Sequence, residues 1–202
     1  MIKAIIFDIG GVNIYDNPMP FFSKLEKSFG VSKEKIYKYT FDTKEWQEPY
    51  NRGLISEKEL WKRLESKGNL KREVLNDIKK SWRSFLKPIP ETIKIIKHLK
   101  GKYKVYALSN VDKGTVLYMK KQYGIYKIFD DTVLSCDVGM VKPHAGIYKF
   151  TLKKFKLNAD ECIFIDNRPK NVKGAEKVGI KSILFKSPEQ LKKDLRKLGI
   201  FV

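Results

Sequence analysis

IIFDIGGV, residues 5–12, decides how the rest of the chain is read. A short apolar run ends on a single carboxylate, Asp8, and the chain then breaks at Gly10-Gly11. Ile2–Phe7 therefore reads as a buried strand with an acid at its carboxyl end. Glycines beyond it allow backbone N–H groups to approach an anion closely, which a turn-capping acid alone does not explain.

From about residue 18 to 88 the pattern is helical: FFSKLEKSFG, SKEKIYKYTF, SEKELWKRLES and KREVLNDIKKSWRSFL. Ser32 and Ser56 read as N-caps, Ser56 with Glu59 as a capping box, and Gly30 and Gly68 as helix stops. This block predicts about four helices and no strand. After Pro88 and Pro90 helices alternate with strands: YKVYALSN, DTVLSCD, ECIFIDN and KSILFK are the strands. Such alternation predicts an α/β fold with a doubly wound parallel sheet. The first strand joins that sheet from across the helical block, so residues 1–15 and 89–202 form one discontinuous core and 16–88 an insertion.

Composition bounds the function less sharply. The formal charge is +19, but the excess is spread out: residues 16–88 carry 17 Lys/Arg against 11 Asp/Glu, and the remainder 25 against 12. Most lysines fall at solvent positions of helices, so a solvated surface is expected and nucleic acid is not the expected partner. A positive field favours an anionic substrate in either case. Asp8 interrupts the only apolar run near the N-terminus, no run reaches membrane-spanning length, and Cys136 and Cys162 lack disulfide or zinc spacing. A reducing, cytoplasmic setting without a membrane partner is the expectation.

In an open parallel sheet, ligands bind at the carboxyl ends of the strands. Strand one ends at Asp8, YKVYAL at Ser109-Asn110, and ECIFI at Asp166-Asn167, while Lys142 stands before Pro143 and a helix. An acid, a hydroxyl, a lysine and a second acid thus converge on one face. Asp8 suits a nucleophile that attacks phosphorus to give an acyl phosphate. Ser109 and Asn110 suit hydrogen bonding to phosphoryl oxygens, Lys142 suits charge neutralisation, and Asp166 after a core run needs a partner or a metal.

FDIGGV, LSNV, GMVKPHAGIY and IFIDNRPKNVKGAEKVGI together resemble the haloacid dehalogenase (HAD) superfamily of hydrolases, in particular its sugar-phosphatase and epoxide-hydrolase N-terminal phosphatase-like branch. The resemblance implies a Rossmann-like core, a four-helix cap at 16–88 into which GLISEKEL fits, an aspartate nucleophile and Mg²⁺. It implies Asp8 as nucleophile and metal ligand, the Gly10 carbonyl as a second ligand, and Ser109, Asn110 and Lys142 around the phosphoryl group. Gly10 and Gly11 would line the phosphate, and Asp166 and Asn167 stand where the family carries two adjacent acids. Two positions depart from the pattern: Gly10 replaces the usual general acid–base, and Asn167 replaces a charged metal ligand. The implied activity is a Mg²⁺-dependent phosphomonoesterase on a small phosphorylated metabolite. A metal-independent dehalogenase-type hydrolase and a catalytically weakened binding module are the alternatives. Trp46 and Arg52 are the expected pocket residues of the cap.

Overall fold

A computed structural model describes all 202 residues. In chain order the strands are β1 (Ala4–Phe7), β2 (Ile14–Tyr15), β3 (Lys87–Pro88), β4 (Lys104–Ser109), β5 (Asp131–Leu134), β6 (Cys162–Asp166) and β7 (Lys181–Leu184). The helices are α1 (Met19–Phe29), α2 (Lys33–Tyr39), α3 (Glu57–Ser66), α4 (Arg72–Ser81), α5 (Pro90–Leu99), α6 (Lys113–Tyr123), α7 (Ser135–Val138), α8 (Ala145–Phe155), α9 (Pro169–Glu176) and α10 (Pro188–Lys197).

Five parallel strands form one sheet in the order β5-β4-β1-β6-β7, so β1 lies at its centre. A central parallel strand is covered on both faces, which explains its uninterrupted apolar run. Ile5 and Phe7 point to one layer, with Val105, Ala107, Ile163 and Leu195. Ala4 and Ile6 point to the other, with Leu108, Phe164, Tyr148 and Ala175. Each fully buried Ile or Phe contributes about 1.5–3 kcal/mol, so this double layer fixes the register. Phe7 pairs with both Ala107 and Ile165. Asp8 therefore comes level with Leu108 and Asp166, with Ser109 one residue beyond.

The helical segment α1–α4 leaves the sheet after β1 and returns before α5, and carries a separate core of Phe22, Ile36, Trp46, Leu60, Val74 and Ile78. Ser32 and Ser56 accept the N–H groups of Lys35 and Glu59. The expected capping box at Ser56 is half formed, because the Glu59 carboxylate turns to Arg63 at 2.9 Å. The block also contains a strand that its helical periodicity concealed. Lys87–Pro88 pairs antiparallel with Ile14–Tyr15 to make a two-stranded ribbon where the chain enters and leaves the insertion. Two residues are too short to carry an alternating pattern.

DTVLSCD is a strand only to Leu134; Ser135–Val138 is a helical turn that Gly139 ends at φ +68°. No helix of the molecule is long and apolar enough to cross a membrane.

Candidate active site

Asp8, Lys142 and Asp166 meet at the carboxyl end of the sheet, all at least nine-tenths buried. Lys142 Nζ donates to Asp8 Oδ1 at 2.8 Å, Asp166 Oδ2 at 2.7 Å and the Leu108 carbonyl at 2.8 Å. An ammonium has three protons, so all of them are committed inside the protein. Asn110 fixes the backbone of this lysine: its Oδ1 accepts the Lys142 N–H at 2.8 Å and its Nδ2 donates to the Lys142 carbonyl at 2.9 Å. Nδ2 keeps a second N–H that Lys142 does not use, and Asn110 lines the cleft, so this side chain both holds Lys142 and has a donor left for a ligand.

Asp8 presents two different oxygens. Oδ1 accepts from Lys142 and from the Ile9 N–H at 2.7 Å. Oδ2 takes no hydrogen bond from the protein, and the residue lines the cleft. Burial pushes the carboxyl above the usual range; Lys142 pulls it down and the neighbouring Asp166 pushes it up again. Ser109 also lines the cleft with a hydroxyl that makes no bond within the protein, as a group reserved for a ligand would.

The two glycines differ. Gly11 adopts φ +77°, and a Cβ there would lie 2.0 Å from Asn167 Nδ2, so only glycine fits. Gly10 is not in the left-handed region, and what a Cβ there would meet is the carboxylate of Asp16, with Oδ2 at 2.8 Å.

Magnesium prefers oxygen ligands. The Asn167 Oδ1 is buried and without a partner, Asp8 Oδ2 is open, and no loop N–H donates to the Gly10 carbonyl. These three oxygens suit a hard cation, which when bound would draw charge from the phosphoryl oxygens. No group of three or more His, Cys, Asp or Glu gathers there. The expectation that Asp166 ligates the metal is corrected. Its Oδ1 accepts from the Arg168 N–H and from Asn171, and its Oδ2 from Asn171 and Lys142, leaving no lone pair free in a residue with no exposed surface.

The cleft above these groups has a volume of about 220 Å³. Its far wall belongs to the insertion and is aromatic: Tyr37, Phe41, Trp46 and Trp82 line it. Phe41 stacks on Trp46 with ring centroids 4.1 Å apart, and Trp82 meets Trp46 edge-on at 5.1 Å. Trp46 is thus a pocket residue as expected. Arg52 is not; its Nε donates to the Gly139 carbonyl at 2.8 Å and ties the insertion to the core.

Sequence reading missed the polar cluster at that junction. Arg83 binds Glu57 at 2.8 Å and Asp112 at 3.2 Å, and Asp112 also accepts the Tyr50 hydroxyl at 2.7 Å and caps α6 through Thr115 N–H. Only the N-cap position of Asp112 was readable in advance. Asp16 and Arg168, both on the cleft wall, were missed as well: Arg168 lies two residues beyond β6, and Asp16 follows β2, a strand too short to leave a periodic pattern.

Sheet order, a strand-end aspartate and an aromatic-walled cleft under inserted helices define the site of a Rossmann-like α/β fold at the carboxyl end of its parallel sheet. The chain belongs to the haloacid dehalogenase-like hydrolases, whose family model matches residues 2–179. It is 27% identical to a sesquiterpene phosphatase of Aspergillus oryzae, covering 88% of this chain and 87% of that protein. Identity is also 27% with flavin mononucleotide hydrolase 1 of Arabidopsis thaliana, over 100% of this chain and 79% of the relative. A HAD family enzyme of Bacteroides thetaiotaomicron, solved in complex with magnesium and inorganic phosphate, superposes with a TM-score of 0.71 at 26% identity, covering 92% and 95% of the two chains.

Proposed function

We propose that the protein is a magnesium-dependent phosphomonoesterase that hydrolyses a small phosphorylated metabolite through an aspartyl-phosphate on Asp8. The observation that carries this is the asymmetry of Asp8: one oxygen is anchored by Lys142 and Ile9, and the other is open to the cleft. An anchored carboxylate keeps its attacking oxygen in place, which lowers the entropic part of the barrier. Phosphatase names among the relatives, and magnesium with phosphate in a structural neighbour, support the same reading. In it Ser109 hydrogen-bonds the transferring group, while Lys142, held by Asn110, acts from behind Asp8. Residues 16–88 form the cap, whose aromatic wall receives the leaving group, over a core of 1–15 and 89–202. Two buried free cysteines fit a reducing cytoplasm.

Release of inorganic phosphate from p-nitrophenyl phosphate, with magnesium and after chelation, tests the reading. The expected result is turnover that depends on the metal and vanishes in Asp8→Asn. Turnover that survives that substitution sinks the covalent route. A panel of phosphorylated metabolites then identifies the leaving group.

A further inference from the structure

We propose that Asp16 is the general acid–base of the reaction, its carboxylate occupying the space that a side chain at Gly10 would fill; this rests on the phosphomonoesterase reading above. Phosphoryl transfer to Asp8 leaves an alkoxide that needs a proton, and the second step needs a base for water. Residue 10, two places after the nucleophile on the same loop, is glycine and offers neither. A Cβ built on Gly10 runs into Asp16, with Oδ2 at 2.8 Å, Cγ at 3.4 Å and Cβ at 3.6 Å. The missing side chain and the carboxylate thus occupy one volume. The backbone at Gly10 is not in the left-handed region, so conformation does not demand glycine there. What stands against a side chain there is the Asp16 carboxylate, which would have to turn aside.

Asp16 has no structural duty to explain its place. It makes no hydrogen bond in the molecule, and the turn into α1 is closed instead by Asn17, whose Oδ1 accepts the Met19 N–H at 3.0 Å. Its one charged neighbour is Arg168, 4.0 Å from Oδ2. Both residues line the same cleft as Asp8. A half-exposed carboxylate, free of hydrogen bonds and lining the same cleft as the nucleophile, has the freedom a proton carrier needs.

The chemistry balances as follows. Asp8 Oδ2 forms a bond to phosphorus as the ester P–O bond breaks, and the leaving oxygen takes the proton of the Asp16 carboxylic acid to depart as an alcohol. Water then attacks phosphorus, gives its proton to the Asp16 carboxylate, and the bond between phosphorus and Asp8 breaks. Phosphate departs, with Asp8 ionised and Asp16 protonated again.

Two aryl esters that differ in leaving-group basicity separate this role from a structural one. With phenyl phosphate, the first turnover of Asp16→Asn and Asp16→Ala should fall about 10²–10⁴-fold. With 2,4-dinitrophenyl phosphate, whose leaving group needs no proton, the burst of dinitrophenol should persist within about tenfold, while the aspartyl-phosphate accumulates for lack of a base. Adding Gly10→Asp to Asp16→Ala should restore phenyl phosphate turnover, since the vacated space admits the new side chain. Equal losses on both esters, no loss on either, or no restoration overturns the assignment while leaving Asp8 chemistry standing. A wild-type protein that hydrolyses neither ester removes both.

Discussion

Two clusters in this molecule have the same composition, one cation between two carboxylates, and different surroundings. Lys142 sits between Asp8 and Asp166 at the end of the sheet, with side-chain exposures of 1%, 9% and 0%. Arg83 sits between Glu57 and Asp112 at the junction of the insertion with the core, with exposures of 18%, 33% and 4%. All partners of the first come from the sheet and the loops at its end. The second draws Arg83 and Glu57 from the insertion and Asp112 from the core. Burial within one body yields a fixed electrostatic site that costs desolvation and holds the Asp8 carboxylate in place. A partly wet cluster shared by two bodies holds them together and is cheaper to break.

The largest expected effect comes from breaking the first cluster at its reactive member. Asp8→Asn is nearly isosteric and should lower kcat by at least about 10⁴-fold, as loss of a nucleophile does, with circular dichroism unchanged. Next comes Lys142→Met, which leaves two buried carboxylates without their cation. It should cost about 3–5 kcal/mol in urea unfolding, and a loss below about 1 kcal/mol would show that the cluster is not held by charge. Arg83→Met should cost less, about 1–2 kcal/mol, because its partners are partly solvated. It should also raise KM more than it lowers kcat, because it loosens the aromatic wall and leaves Asp8 untouched; a kcat effect alone would contradict the division drawn here.

Acid should act on the two clusters with opposite sign. Burial, opposed by Lys142, raises the Asp8 carboxyl above its ordinary value, so in metal-free protein its ionisation costs stability that returns as pH falls through the folded value. Glu57 is also pushed up by burial, but the hydrogen bond and charge of Arg83 outweigh this and lower it. Its contribution is present above the ordinary glutamate value and is lost as pH falls through the depressed one. In chelator, Asp8→Asn should therefore melt higher than wild type near neutral pH, and Glu57→Gln lower, both gaps closing in acid. The smallest effect belongs to Asn167→Asp, which adds a third acid to the sheet cluster and should tighten magnesium binding by calorimetry. No change would place the metal away from Asn167.

The sheet cluster was legible in the sequence because its members end strands, positions that periodicity marks, or, for Lys142, stand just before the Pro143 that precedes a helix. Asp8, Ser109, Lys142 and Asp166 are found this way. The duties of Asn110 and Asp166 were not legible, since which donors fill a carboxamide or carboxylate depends on register and loop path. The junction cluster lay further out of reach. Tyr50, Glu57, Arg83 and Asp112 belong to separate elements, and nothing local distinguishes Arg83 from the other basic residues of a chain with 42 lysines and arginines. Asp16 was hidden for a related reason: the space it fills is defined by an absence at Gly10, and a sequence shows the glycine without showing what lies against it.

The ribbon of β2 and β3 gives that placement a mechanical meaning. Ile14–Tyr15 pairs with Lys87–Pro88, and Asp16 is the next residue after β2, on the strand that carries the chain into α1. Asp16 is thus held by the ribbon at the entrance to the insertion, whereas Asp8, Lys142 and Asp166 are held by the strands and loops of the sheet. A carboxylate at residue 10 would instead be carried by the loop that follows β1. With Asp16 as the acid–base proposed above, proton transfer would depend on where this ribbon sets the start of the insertion, and not on the sheet alone.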